Sequence, residues 1–416
     1  MWQGGSESAD EPGSFGSKGV PAPSNSPASR YGAGLARDSK GRLWLFGGNR
    51  LVGSAAEPSN DLWRFEANVW TWVGGSNTTL AAGVHGTRGV AAPANVPGAR
   101  QYPCTWVDGQ DNLWVFGGWG RDADGDKTRW LNDLWRYDGQ LWTWVAGSDQ
   151  NDQPAVYGTQ GTPAAGNTPG GRDGASCVFD GKQLWLYGGK GYAGTPGAEG
   201  YLSDLWRFDG TAWTWLGGNQ KVNFGPSHGT LGTPAAGNAP GSRAWSCAWH
   251  DGAALWLFGG EGFDSTGTGG MLSDLWRLDG ATKLWTWVAG PNTRNQMGSY
   301  GTLGTPAASN QPPARFKAGC WTDAQGRLWL LAGATPATQP YGFRNDLWRF
   351  DGKLWTWVGG SDKQDPAGIY ATSPWPGGRS ALSVAAAGPA AFVFGGAGLD
   401  GQGAAGLLND LWLLVP

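Results

Sequence analysis

Two residue types recur at matched spacing along this chain of 416 residues, and both carry charge. Arginines stand at Arg30, Arg100, Arg172, Arg243, Arg315 and Arg379, and aspartates follow at Asp61, Asp133, Asp204, Asp274, Asp346 and Asp410. A guanidinium and a carboxylate that meet away from water form a bidentate, charge-assisted pair, so one reading is a set of structural ion pairs. Imidazole chemistry has little to draw on. Histidine occurs only as His85, His228 and His250, no two spaced to share a metal, and no Gly-x-Ser-x-Gly elbow is present. Cys104, Cys177, Cys247 and Cys320 each follow one of the arginines by four or five residues. Asp122, Asp124 and Asp126 alternate as calcium ligands do, but no closing Glu follows them; a solvated turn competes with a metal site there.

These residues must be positioned by repeated elements. NDLWRYDGQLWTWVAG at 132–147 returns from Asn60, Ser203, Ser273 and Asn345, and a shortened NDLWLLVP starts at Asn409. Counted from the aspartates, the steps are 72, 71, 70, 72 and 64 residues, the mark of a repeat array. In the first copy Leu62 and Arg64 alternate with Trp63 and Phe65, the period of two that predicts strands. Asp138-Gly139, Asp209-Gly210, Asp279-Gly280 and Asp351-Gly352 supply the Asp-Gly signal of a tight hairpin turn, whereas the first copy has Glu66-Ala67-Asn68 there. Upstream, each repeat arginine leads into a strand, a short turn and a second strand closing on Gly-Gly, as at Arg100 to Gly118. Each unit therefore holds four strands.

The Gly-Gly closing the second strand, the Asn-Asp-Leu-Trp-x-Tyr/Phe-Asp of the third, the Trp of the fourth and the Pro-x-x-Arg opening the next unit resemble the kelch family of β-propellers. The likeness spans the whole chain, with a repeat of about 71 residues where kelch repeats run to roughly 50. It implies an all-β fold: a single six-bladed propeller over 1–416, with four-stranded antiparallel blades near 30–75, 100–147, 172–218, 243–290, 315–360 and 379–416. MWQGGS at 1–6 matches the end of a fourth strand, while the last unit stops after its third. The N-terminal strand is expected to complete the sixth blade and close the ring.

In such a ring the long fourth-to-first links and the 12–14-residue second-to-third links share one face, taken as the functional face. The arginines and aspartates both start strands there. Kelch modules also use arginines on this face to attract anions, so an arginine ring for a ligand stands beside the structural reading. Phe15, His85, Tyr157, His228, Tyr300 and Tyr370 form one repeated aromatic position expected to anchor the links. Alternating cysteine offsets allow bridges Cys104–Cys177 and Cys247–Cys320, a single Cys177–Cys247 bridge, or four buried thiols. Galactose oxidase is a kelch-like copper enzyme, and its Tyr and His ligand set has no counterpart here; no cofactor is expected.

Residues that differ between blades are the candidates for function. Just after the arginines stand Tyr31, Gln101, Tyr102, Asp173, Trp245, Phe316 and Lys317; just after Gly-Gly stand Trp119, Lys190 and Glu261. With Trp130 and Trp375 they predict an aromatic, mixed-charge mouth suited to a glycan or a protein segment. Several of them could instead pack loops. An enzyme using Glu261 or Asp173 with Lys190 or Lys317 is the alternative, and an architectural role in a surface assembly is the third.

Composition narrows the classes. Net charge is −3 with no basic tract, which argues against nucleic acid, and no apolar run is long enough for a membrane span. Of 29 tryptophans, 25 fall on repeat positions, so most are core between blades. Because Met1 stands directly before a strand residue, any export signal is expected to lie outside these residues. The expectation is a monomeric bacterial protein, exported to the periplasm or beyond.

Overall fold

The computed structural model describes residues 1–337 and 341–415; Pro416, the last residue of the sixth unit, lies outside them. Every regular element among the described residues is a β-strand. No helix there is long and apolar enough to cross a membrane. The six sheets are antiparallel and consistent with a six-bladed propeller.

The second unit shows the pattern. Cys104–Val107, Leu113–Arg121, Thr128–Tyr137 and Trp142–Ala146 pair in chain order from the innermost strand outward. Unit 3 repeats it with Ser176–Phe179, Leu184–Tyr192, Glu199–Phe208 and Trp213–Gly217, and unit 1 with Gly34–Arg37, Leu43–Phe46, Leu62–Glu66 and Val69–Gly74. In the sixth unit Ser383–Ala387, Ala390–Leu399 and Ala405–Leu414 take Trp2–Gly4 as their fourth strand, with Trp2 opposite Trp412. Met1 and Leu413 exchange two backbone hydrogen bonds, of 2.6 and 2.8 Å.

Both faces of each sheet are buried because each stacks between two others. Apolar clusters occupy the seams: Trp106, Trp114 and Phe116 of unit 2 pack on Trp206, Phe208 and Trp213 of unit 3. Leu35, Leu45 and Trp70 of unit 1 pack on Phe394 and Leu411 of unit 6. Ring pairs bind the seams edge-on or tilted, as in Phe116–Trp213 at 5.0 Å and Trp70–Phe394 at 5.6 Å.

A cycle of backbone bonds runs through all six units. Tyr102 N–H donates to Gly32 O, Gly174 to Tyr102, Trp245 to Gly174, Lys317 to Trp245, Ala381 to Lys317 and Gly32 to Ala381, at 2.7–3.4 Å. Tyr102, Trp245, Lys317 and Ala381 hold left-handed φ of 50–55° there, a cost that non-glycine residues bear only where the surroundings enforce it.

Two expectations about the links change. The second-to-third connections are not irregular loops but hairpins. Past the Gly-Gly bulge the two strands run on as a bent extension, Gly118 at φ 105° making the turn. Much of the fourth-to-first link is also engaged in five of the six units. It lies along the outermost strand of the unit it leads into, where Gly19, Gly89, Gly161, Gly232 and Gly304 donate to Trp72, Trp144, Trp215, Trp287 and Trp357 at 2.7–2.8 Å. These segments cover sheet edges that would otherwise offer free backbone groups.

Cys104 and Cys177 form a disulfide between neighbouring innermost strands. Cys247 and Cys320, the second expected bridge, are free. Their thiols stand together, yet each S–H donates to a carbonyl of the facing strand, Ala318 at 3.7 Å and Ala248 at 3.8 Å. Alkylation under denaturing, non-reducing conditions is expected to label two thiols, Cys247 and Cys320. Labelling of all four, read by intact mass, would remove the Cys104–Cys177 bridge.

Candidate functional site

Six ion pairs frame the site. Arg30–Asp61, Arg100–Asp133, Arg172–Asp204, Arg243–Asp274, Arg315–Asp346 and Arg379–Asp410 are bidentate, with N–O distances of 2.6–2.9 Å. Each carboxylate also accepts the indole N–H of the Trp two residues on, such as Trp276 on Asp274 at 2.6 Å. The repeated aromatic position completes the set: Tyr157, Tyr300 and Tyr370 donate to Asp204, Asp346 and Asp410, His85 lies 3.2 Å from Asp133, and Phe15 only packs. Burial alone would raise the Asp274 pKa; Arg243 outweighs it and holds the carboxyl below its ordinary range. The six arginines are at most 1% exposed, so no arginine ring faces a ligand.

Above the ion pairs, the hairpin extensions and the short strand opened by each arginine set three residues per unit side by side. Register pairs Gln101 with Trp119 and Trp119 with Trp130, Asp173 with Lys190 and Lys190 with Tyr201, and Ala244 with Glu261 and Glu261 with Met271. Directly opposed residues share a face, so each row presents one wall of a mouth. Inside it stand the left-handed residues of the backbone cycle.

The mouth holds a cavity of about 470 Å³. It gathers ten of the twelve expected residues: Tyr31, Gln101, Tyr102, Trp119, Trp130, Asp173, Lys190, Trp245, Phe316 and Lys317. Glu261 is not in the lining; it stands one row along, against Tyr201, whose phenol is raised first by burial and then by the Glu261 charge. Trp375 is not in the lining either. The link before the sixth unit is short there, and Trp375 fills the space, its indole donating to Asn345 O at 2.9 Å and its ring against Gly359. Tyr341, Ser380, Ala381 and Ala397 complete the lining. Tyr341 lies in a hairpin whose sequence no other unit repeats, so comparison between units could not find it; it meets Phe316 with ring centroids 5.8 Å apart. Gly32 and Gly174 make room for the large rings: a Cβ on Gly32 would meet the Tyr102 ring at 2.8 Å, and one on Gly174 the Trp245 indole at 2.3 Å.

The charges in this cavity are unusual for their burial. Asp173 is 6% exposed and accepts the Trp130 indole N–H at 2.9 Å. Burial pushes its carboxyl up to about 6, against the pull of Trp130, Lys317 and Lys190. Burial likewise lowers the Lys317 ammonium, with Asp173 and Glu261 opposing. Two polar atoms of lining residues are buried without a hydrogen-bond partner, the Trp245 indole nitrogen and the Gln101 amide oxygen.

The calcium alternative does not assemble. Among the described residues no group of three His, Cys, Asp or Glu side chains converges. Asp122 is buried and accepts from the Gly125 and Asn151 backbones at 3.0 and 3.1 Å, while Asp124 and Asp126 are exposed. Asp264 and Asp400 tie their own hairpins in the same way, so Asp122 is a loop fastener. His250 lies away from the mouth, stacked on Trp185 at 5.8 Å.

No family model matches the chain. Over 156 residues it is 32% identical to the dynein alpha chain of the flagellar outer arm of Chlamydomonas reinhardtii, a match covering 36% of this chain. The match spans 3% of that protein's length, so it does not establish a shared family.

Proposed function

We propose that the six units form a closed propeller of the kelch kind and that its mouth cavity binds a glycan. One observation carries this reading: a concave site lined by Tyr31, Tyr102, Trp119, Trp245, Phe316 and Tyr341, with the polar side chains Gln101, Asp173, Lys190 and Lys317 among them. Sugar rings stack their C–H faces on indoles and phenols and offer hydroxyls that both donate and accept. The volume falls within the range of small-ligand sites, whereas a protein partner would favour a broader, flatter surface. The Cys104–Cys177 bridge supports an oxidising compartment, hence export.

A glycan array is expected to show binding by the parent chain. Trp119→Ala and Trp245→Ala should each weaken it by about tenfold or more, about 1.4 kcal/mol, with an unchanged melting temperature for Trp119→Ala. Unchanged binding by both variants would remove this site.

The raised Asp173 carboxyl favours a second reading, an enzyme that cleaves the bound glycan with Asp173 as general acid. Release of reducing ends from a bound oligosaccharide, lost in Asp173→Asn, would decide for it.

A further inference from the structure

We infer that the glycan is acidic: a hexuronic acid unit whose carboxylate seats between Lys317 and Lys190. The inference rests on the glycan reading above and names the class of sugar. Lys317 and Lys190 are the cations of the lining and Asp173 is its carboxylate, with Glu261 one row along, so two ammonium groups are gathered at one cavity in a chain whose net charge is −3. Among the described residues neither lysine lies in an ion pair within 4.0 Å, nor does either ammonium donate a hydrogen bond.

Lys317 is held instead by rings. Its Nζ lies 4.7 Å from the Trp245 centroid, 4.8 Å from Tyr102 and 5.2 Å from Phe316. Lys190 Nζ lies 5.7 Å from the centre of Tyr201. A ring face attracts an ammonium without accepting its hydrogen bonds in the way an oxygen does, so both cations keep donors free for an anion. Asp173, opposite Lys190 in the ladder and hydrogen-bonded to Trp130, comes within 4.0 Å of neither ammonium. The hydroxyls of a neutral sugar can accept from these ammonium groups but leave their charge uncompensated in a half-buried site. A pyranose bearing a carboxylate meets both demands at once. Its ring stacks on the aromatic wall while its anion takes the lysines, and such a bond to an ionised pair is roughly twice as strong as a neutral one.

The test is titration calorimetry of the full chain at neutral pH with short oligomers of galacturonic, glucuronic and mannuronic acid, each beside its C6 methyl ester. At least one acid is expected to bind about tenfold or more tightly than its ester. Lys317→Met and Lys190→Met should each bring the acid towards the ester's affinity, while Lys317→Arg keeps the preference. Should Lys317→Met fail to fold, as its left-handed backbone position allows, Lys190→Met on the hairpin extension carries the comparison. Equal binding of acid and ester overturns the inference and leaves the glycan reading standing. Binding of none of these oligomers or of any neutral glycan overturns both.

Discussion

Replacing Arg243 with Ala is expected to lower the unfolding free energy by about 3–5 kcal/mol, the scale for removing one partner of a buried ion pair. Arg243 is fully buried and donates to both oxygens of Asp274 at 2.8 Å and to Gly259 O at 3.0 Å. The variant keeps Asp274 in the same dry site with only Trp276 and His228 beside it. The pH dependence identifies the cause. In the parent, Asp274 titrates below its ordinary value of 3.8, so its contribution is complete above that range and is lost as pH falls towards the lowered value. In Arg243→Ala burial outweighs the remaining Trp276 and His228 contacts and raises the carboxyl, so acidification from neutral pH neutralises it and shrinks the deficit. Guanidinium unfolding curves between pH 4 and 8 check both points. A deficit below about 1 kcal/mol would mean that the pair is dispensable, as surface pairs are.

Asp173→Asn should act in the opposite direction. The carboxyl rises from 3.8 to about 6, a little over two pH units, and each unit is worth about 1.36 kcal/mol. With the folded pKa raised, the folded state holds its proton longer than the unfolded chain does. Stability is therefore greatest below the ordinary carboxylate range, falls as pH rises from about 4 to 6, and is flat above. Asparagine cannot ionise and can still accept the Trp130 indole through its amide oxygen. The stability of Asp173→Asn relative to the parent should thus grow by about 2–3 kcal/mol between pH 3.5 and pH 8. A difference that stays constant over that range would show that Asp173 is solvated in the folded protein.

Some of the fold and much of the site were legible from residues alone, because the six units serve as copies of one experiment. Period-two alternation, Asp-Gly turns and the recurrence of Arg and Asp depend on local geometry, which sequence spacing reports directly. The strands and the partnership of N-terminal Trp2 with Trp412 were read from it, and the pairing of Arg100 with Asp133 was one of two readings it allowed. Residues that broke the repeat marked the mouth, and Trp119, Asp173 and Lys317 were found that way. What tertiary structure alone decided depends on which side chain reaches first. Trp375 and Trp119 both look like spare aromatics, but a shortened link turns one into a plug while register sets the other beside Trp130. Cys247 and Cys320 match the spacing of the bridged pair, yet their S–H groups are committed to facing carbonyls. The arginines could have faced a ligand, but the desolvation of a guanidinium is offset only where two carboxylate oxygens and a carbonyl converge on it. Such convergence is a three-dimensional fact, set by how the strands of one unit pack around its arginine, and spacing along a chain does not contain it.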